Sequence, residues 1–136
     1  MFAGINELSV VIMALLGVAL GSIWYSPLLF GELWMKSIGI TPGDLEDLRS
    51  RLVPALGSAW LANVIFFFLL AHTIRLAEAA DVSLPGVGFA LLLFISAAMS
   101  SMVVWEKRPL SYVLIHIGYA AVLIFGGLGI IHFWPW

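Results

Sequence analysis

The stretch VPALGSAWLANVIFFFLLAHTI (Val53–Ile74) decides the fold class, because its 22 residues include no Asp, Glu, Lys or Arg. An α-helix rises about 1.5 Å per residue, so roughly 20 apolar residues cross the hydrocarbon layer of a bilayer, which is about 30 Å thick. Three other stretches, at about 8–25, 85–105 and 110–133, are similarly long and equally free of charge. Strands of a membrane β-barrel would be shorter and would alternate apolar with polar residues. The sequence therefore predicts an all-α bundle of four transmembrane helices, with residues 1–136 forming a single membrane domain.

The composition of the whole chain supports a membrane location. Hydrophobic residues make up 62% of the chain and charged residues 10%, and the mean hydropathy is +1.10. A soluble domain carries about 45–50% apolar and about 25% charged residues. The net charge of −2 gives no basic surface for nucleic acid, and the absence of Cys excludes disulfides, thiolate metal ligands and thiol catalysis. We therefore expect the partner of the chain to be the lipid bilayer and not nucleic acid.

The connection between the first two spans, residues 27–52, has an amphipathic pattern of its own. Its first half, PLLFGELWMKSIG, places only two charged residues among large apolar side chains, which is typical of a segment in the headgroup region. The following motif, TPGD (41–44), has the pattern of a helix start, with Thr41 as N-cap, Pro42 in the first helical position and Asp44 as a capping carboxylate. We therefore predict an interfacial segment followed by a short amphipathic helix that leads into the second span.

The distribution of basic residues predicts the orientation. Lys and Arg near the ends of spans collect on the cytoplasmic side of a membrane. The connections on one side of the predicted bundle hold five of these residues, and the other side holds Arg75 alone. The five are Lys36, Arg49, Arg51, Lys107 and Arg108. This bias predicts a multi-pass protein of the inner (plasma) membrane, with the loop 27–52 in the cytoplasm and both termini outside.

Neutral polar side chains in and beside the spans form the candidate site. Each is costly in lipid unless a neighbour satisfies its hydrogen bonds. The helical rise places the polar groups of all four spans in the cytoplasmic half, roughly 8–14 Å deep in the second, third and fourth spans, whereas the other half is almost wholly apolar. They form either a ligand or proton site or a network of interhelical hydrogen bonds, each worth about 0.6–2 kcal/mol. The candidate pocket comprises Ser22, Tyr25, Asn63, Ser100, Tyr112, His116 and Tyr119.

His116 is the strongest candidate for chemistry, because an imidazole can bind metal or haem, or relay a proton near neutral pH. It shares one face of the fourth span with Tyr112 and Tyr119, at spacings of four and three residues. Common catalytic motifs, such as a phosphate loop, HExxH or a serine elbow, are absent from the sequence. We therefore predict no catalytic residue, metal site or cofactor, and an enzyme that uses His116 stays an alternative.

Small residues predict close helix packing in two spans. Gly17 and Gly21 form a Gly-x-x-x-Gly pattern, which lets helices approach closely either inside one bundle or between two copies of the chain. Ala55, Ala59 and Ala62 give the second span a smooth face. These patterns indicate tight helix packing and do not indicate a catalytic or binding function.

Two motifs carry a resemblance to a known family. Trp-Tyr-Ser-Pro ends the first span and is followed by Leu-Phe-Gly and Trp-Met, and in Glu106–Tyr119 a charged turn with Pro leads into a last span bearing Gly-Tyr. In this order the motifs are similar to those of the small bacterial membrane proteins grouped as domain-of-unknown-function family 1761. The resemblance implies four helices in a membrane and brings no established activity, substrate or cofactor. The first motif comprises Trp24, Tyr25, Ser26, Pro27, Phe30, Gly31, Trp34 and Met35.

Three functions agree with these observations. The first is a homo-oligomer, or an accessory or scaffold subunit of a larger membrane protein complex, because the spans carry no charge and the helices have small-residue faces. The second is a small-molecule carrier or channel with its site in the polar pocket, although transport sites usually contain charged residues or broken helices. The third is a haem, metal or lipid-processing enzyme that uses His116.

Overall fold

A computed structural model describes residues 7–133, except for the side chains of Pro42 and Leu45. The predicted domain bounds 1–136 include residues 1–6 and 134–136, which lie outside the described range. Within that range the chain is helical and contains no strand. The helices are α1 (Glu7–Trp24), α2 (Gly31–Ile38), α3 (Leu45–Ser50), α4 (Leu52–Ala79), α5 (Leu84–Trp105) and α6 (Leu110–Phe133).

The four long helices α1, α4, α5 and α6 are long and apolar enough to cross a membrane, with mean hydropathies between 1.9 and 2.2. The prediction of an all-α protein with four transmembrane helices is confirmed. The observed bounds of α1, α5 and α6 agree with the predicted spans to within one residue at either end. Only α4 differs substantially.

Helix α4 continues as one helix past the predicted end of the second span at Ile74 and reaches Ala79. The charges of Arg75 and Glu78 do not end the helix, and the Leu and Ala residues between and after them are strong helix formers. The helix ends where Asp81 adopts a left-handed φ of 54° and the Val82 amide donates to the Ala77 carbonyl at 2.8 Å. Its 28 residues extend about 42 Å, so the last turns project beyond the hydrocarbon layer.

The bundle consists of two helix pairs. Helix α1 packs mainly against α4, and α5 packs mainly against α6, as expected for the short turn that joins those two spans. Helix α6 also contacts α1 and α4, and therefore joins the two pairs. We call the end of the bundle near Glu7 and Phe133 the terminal end, and the end near Trp24 and Leu110 the loop end.

The buried core of α1, α4 and α6 lies toward the terminal end, in the half that the sequence predicts to be apolar. Since lipid tails are as apolar as Leu, close packing and dispersion hold such helices together. Gly127 of α6 shows how close the approach is, because a Cβ there would lie 2.7 Å from the Leu70 Cδ2 atom and 3.0 Å from the Phe67 Cε1 atom. The core residues are Val10, Met13, Ala14, Phe67, Leu70, Ala71, Ile74, Ile124, Leu128 and Ile131.

Helices α2 and α3 form the connection 27–52 at the loop end. Helix α2 packs against α6, and it ends at Gly39, which adopts a left-handed φ of 77°. The α-helix after it begins at Leu45 and not at Pro42, because residues 42–44 form a single 3₁₀ turn. The Asp44 carboxylate accepts from the Thr41 amide at 2.8 Å, as predicted for a capping carboxylate. The Thr41 hydroxyl also donates to this carboxylate, at 2.6 Å, and does not accept from a backbone amide.

Candidate ligand-binding cleft

A cleft of about 630 Å³ opens between α1, α4 and α6 in the loop-end half of the bundle. Four of the seven predicted pocket residues line it, namely Ser22, Tyr25, Asn63 and Tyr119. The other lining residues are apolar: Val18, Gly21, Leu52, Ala55, Leu56, Ala59, Ala62, Phe66 and Leu123. The cleft therefore has apolar walls with a few neutral polar groups, which is the usual composition of a small-molecule site.

Helix α4 forms the long wall of the cleft. Its lining residues recur every three or four positions between Leu52 and Phe66, so they share one helical face. The fourteen residue-to-residue steps from Leu52 to Phe66 make this face about 21 Å long. The small side chains of Ala55, Ala59 and Ala62 leave the room that larger residues would fill.

Asn63 and Tyr119 form the polar floor of the cleft, and two glycines of α1 make space for them. The buried Asn63 amide donates to the Ala59 carbonyl at 2.9 Å, and the Tyr119 hydroxyl donates to the Gly17 carbonyl at 3.1 Å. A Cβ on Gly17 would lie 2.7 Å from Asn63 Oδ1, and one on Gly21 would lie 3.0 Å from the Tyr119 hydroxyl. Gly17 and Gly21 are therefore used for packing inside the bundle.

Tyr25 lies in the turn after α1 and forms one side of the cleft. Its half-buried ring contacts the rings of Trp34, His116 and Tyr119, each at a centroid distance of 5.5 Å. Burial raises the pKa of the Tyr25 hydroxyl, and the Tyr119 and Tyr112 hydroxyls raise it further. Tyr25 therefore stays protonated at physiological pH and is a hydrogen-bond donor.

His116 and Tyr112 contact Tyr25 or one another, but they do not line the cleft. The rings of His116 and Tyr112 lie 4.3 Å apart, and His116 Nδ1 lies 2.8 Å from the Tyr112 carbonyl oxygen. Since a carbonyl only accepts, Nδ1 carries the hydrogen, which leaves Nε2 as an acceptor in the neutral imidazole. The predicted pocket thus divides at Tyr25, with His116 on the side away from the cleft.

The structure does not bring Ser100 to the cleft, and no residue of α5 lines it. Ser100 is exposed on the outer surface of the bundle, and its hydroxyl donates to the Ala97 carbonyl of its own helix at 2.6 Å. The helical rise places a residue at a depth but does not decide which way its side chain faces. Helix α5 packs on α6 through the face that contains Gly88, and Ser100 lies on a different face.

The first family motif builds the turn that joins α1 to α2 and docks it on α6. The Trp24 indole donates to the Ile115 carbonyl at 3.1 Å, and its ring packs on Phe30 at 4.7 Å. Gly118 provides the space, since a Cβ there would lie 3.0 Å from the Trp24 ring. Gly31 closes the turn, because its amide donates to the Ser26 carbonyl at 2.9 Å and a Cβ would lie 2.5 Å from the backbone.

Ser26, Pro27 and Met35 of the same motif take a smaller part in docking the turn on α6. The Ser26 hydroxyl donates to the Ile23 carbonyl at 2.7 Å, and the Met35 carbonyl accepts from the Ile40 amide at 3.0 Å. Pro27 is exposed. The main role of the motif is therefore to stabilise the turn that holds Tyr25 and Trp34 beside the cleft.

Sequence reasoning did not single out the apolar lining residues Val18, Phe66 and Leu123. Their types are the same as those of the lipid-facing residues around them, so composition carries no signal for them. The one sequence feature that indicates the cleft is the smooth face of Ala55, Ala59 and Ala62, and such a face is equally typical of helix packing. In the structure these three alanines border the cleft.

The comparisons with known proteins give a family and no activity. Residues 8–133 match the sequence profile of the family described as "Protein of unknown function (DUF1761)". No curated protein and no solved structure matches the chain. Since the match covers most of the chain and includes all four candidate spans, the resemblance seen in the motifs is confirmed. The chain belongs to the DUF1761 family.

Proposed function

We propose that this protein binds a small apolar molecule from the bilayer in the cleft between α1, α4 and α6, and acts as a carrier or binding protein for it. The observation that supports the proposal is the cleft itself, with a volume of about 630 Å³ and four neutral polar side chains among apolar walls. Ligand sites in proteins have volumes of about 300–1,000 Å³ and a similar mixture of many apolar and few polar groups.

Exposure of the α4 wall supports entry of the ligand from the side. Leu52 at the loop end of the wall is 53% exposed, and Ala62 deeper in the cleft is also exposed. In a bilayer these positions face lipid, so a molecule dissolved in the membrane reaches the cleft without passing through water.

The test is to fill the cleft and to measure what the protein retains from its native membrane. Ala62→Phe adds a ring inside the cleft, and Ala97→Phe adds the same ring at an exposed position on α5 as the matched control. We expect native mass spectrometry to find a bound small molecule in the wild type and in Ala97→Phe, and to find it reduced or lost in Ala62→Phe. A bound mass that is equal in all three proteins, or absent from all three, contradicts the proposal.

We also propose that the loop end lies in the cytoplasm and the terminal end outside the inner membrane. The support is the excess of Lys and Arg in the loop-end connections. Because the chain has no Cys, single cysteines report on each side without background. We expect a membrane-impermeant maleimide added to whole spheroplasts to label Val82→Cys and to leave Ser50→Cys unlabelled until the membrane is opened. The reverse pattern overturns the proposed orientation.

We propose as a second candidate function an accessory subunit or homo-oligomer that uses the free face of α5. Gly88 is the one buried residue of this helix, and Phe89, Leu93, Phe94 and Val104 are exposed along it. We expect Phe94→Cys to form disulfide-linked dimers in native membranes, with Leu15→Cys on exposed α1 as the control. Equal, low crosslinking at both positions would indicate that only lipid contacts the exposed face of α5.

A further inference from the structure

The chemical class of the ligand follows from the charges and the hydrogen bonds around the cleft, an inference that rests on the proposed binding function. Among the described residues, none that lines the cleft is ionisable except Tyr25 and Tyr119, and both are neutral phenols. Arg51 is the cation next to the α4 wall, and it is already paired with Asp47 at 3.1 Å. A charged head group would lose its hydration in the cleft without gaining an opposite charge, which is costly.

The hydrogen bonds that the polar side chains of the cleft already make show which group remains for a ligand. Three of the four polar side chains in the cleft already donate to backbone carbonyls: Ser22 to Val18 at 2.8 Å, Asn63 to Ala59 at 2.9 Å and Tyr119 to Gly17 at 3.1 Å. Tyr25 is different, because its hydroxyl donates to no other residue within the described range 7–133. Asn63 keeps a second amide hydrogen, but its side chain is buried in the floor, so the half-buried Tyr25 hydroxyl is the unused donor that a ligand reaches, and a ligand that satisfies it carries an oxygen acceptor.

The shape of the cleft indicates where the two ends of the ligand lie. Tyr25 is at the loop end, beside Leu52 and Ala55, at the level where the spans meet the headgroup region. Val18, Phe66 and Leu123 lie at the deep end, beside the floor of Asn63 and Tyr119, whose polar groups already make hydrogen bonds inside the bundle. The wall between the two ends is about 21 Å long, which suits an extended hydrocarbon chain with its polar group at the loop end.

We infer that the cleft binds an uncharged, elongated amphiphile whose carbonyl or hydroxyl oxygen accepts a hydrogen bond from the Tyr25 hydroxyl. Such a molecule keeps its polar group near the headgroup region and its chain among the alanines of α4. The Ser22 and Tyr119 oxygens retain lone pairs, so a ligand hydroxyl can donate to one of them while it accepts from Tyr25.

The experiment compares photoreactive probes that share one chain and differ in the head group. The full-length protein in phosphatidylcholine nanodiscs is labelled with a diazirine-bearing long-chain methyl ester, a long-chain alcohol, an alkyl sulfonate and a plain hydrocarbon. We expect the ester and the alcohol to label peptides of the α1 and α4 walls more than the hydrocarbon, by about 3- to 10-fold, the effect of one hydrogen bond. Tyr25→Phe keeps the ring contacts and should reduce ester labelling to the hydrocarbon level.

Two controls separate the possible failures. Tyr112→Phe removes a hydroxyl outside the cleft and should leave all labelling unchanged, and Ala62→Phe should reduce labelling by every probe. If Ala62→Phe has no effect on any probe, the cleft holds no ligand and the proposed function fails as well. If Ala62→Phe acts but Tyr25→Phe does not change ester labelling, binding in the cleft stands and the role of Tyr25 is wrong. Strongest labelling by the sulfonate overturns the uncharged class.

Discussion

Asn63 of α4 occupies the space that a side chain on Gly17 of α1 would need. A Cβ at Gly17 would lie 2.7 Å from Asn63 Oδ1 and 2.9 Å from its Cγ atom. The same glycine offers its carbonyl to the Tyr119 hydroxyl at 3.1 Å. One residue without a side chain thus brings three helices together, and it does so where the polar floor of the cleft begins.

Gly17→Ala should therefore destabilise the bundle. Real Cβ atoms do not approach other atoms so closely, and Asn63 is buried, so the helices must separate; overpacking of this kind costs about 1–3 kcal/mol. The measurement is the SDS mole fraction at half-unfolding in mixed micelles, followed by circular dichroism. Gly57→Ala on α4 is the control, because no atom lies within 4 Å of a Cβ built there. Equal midpoints for the two variants would show that α1 and α4 are not in close contact at Gly17.

Tyr119→Phe should lower the free energy of unfolding by about 0.6–2 kcal/mol, the range for interhelical hydrogen bonds in membranes. The change removes the donor to the Gly17 carbonyl, but it keeps the ring against Trp24 and Tyr25. Tyr112→Phe is the matched control, because the Tyr112 hydroxyl makes no hydrogen bond to another part of the chain between residues 7 and 133. A larger loss for Tyr112→Phe than for Tyr119→Phe contradicts the hydrogen bonds described for the floor.

The four spans could be predicted from sequence because exclusion of charge from lipid is a strong and simple constraint. The end of α4 could not, because Arg75 and Glu78 are equally compatible with a loop and with a helix that leaves the membrane. What ends the helix is the left-handed conformation of Asp81, and Asp is one of several residues that tolerate it. The backbone conformation at Asp81, and not the hydropathy of the sequence, decides where α4 ends.

The candidate site was predicted in part. Depth along each helix is proportional to residue number, so Ser22, Asn63 and Tyr119 could be placed in the same half of the bundle from sequence. Rotation about the helix axis depends on which neighbour a helix packs against, and this is why Ser100 was assigned to the pocket although it faces outward. The separation of His116 from the cleft by Tyr25 depends on the turn after α1, which the periodicity of a single helix does not describe.

The turn before α3 should be sensitive to acid. Hydrogen bonds from the Thr41 hydroxyl and amide hold the pKa of Asp44 below its ordinary value of 3.8. Since the folded-state pKa is lowered, the stabilisation is fully present above the ordinary pKa and is lost as the pH falls through the folded value. We expect the NMR shift of the Thr41 amide to be constant near neutral pH and to change only in that acid range.

Two substitutions test whether Asp44 causes the change. Asp44→Asn should abolish the acid-dependent shift of the Thr41 amide, because the amide side chain does not titrate. Asp47→Asn removes a carboxylate that pairs with Arg51 instead, and the shift should persist in this variant. If the acid-dependent shift of the Thr41 amide survives in Asp44→Asn and vanishes in Asp47→Asn, the titrating group is Asp47 and the prediction for Asp44 is wrong.

Trp24→Phe should loosen the turn between α1 and α2 more than it weakens the bundle. The indole donation to the Ile115 carbonyl is lost, which is worth about 0.5–1.5 kcal/mol, whereas an aromatic ring remains between Phe30 and Gly118. We expect faster amide hydrogen exchange in residues 25–38 and unchanged exchange in the buried core at the terminal end. Trp105→Phe is the control, because Trp105 is 83% exposed. Since the turn carries Tyr25, a variant with normal exchange in 25–38 would mean that Trp24 is not what holds this side of the cleft in place.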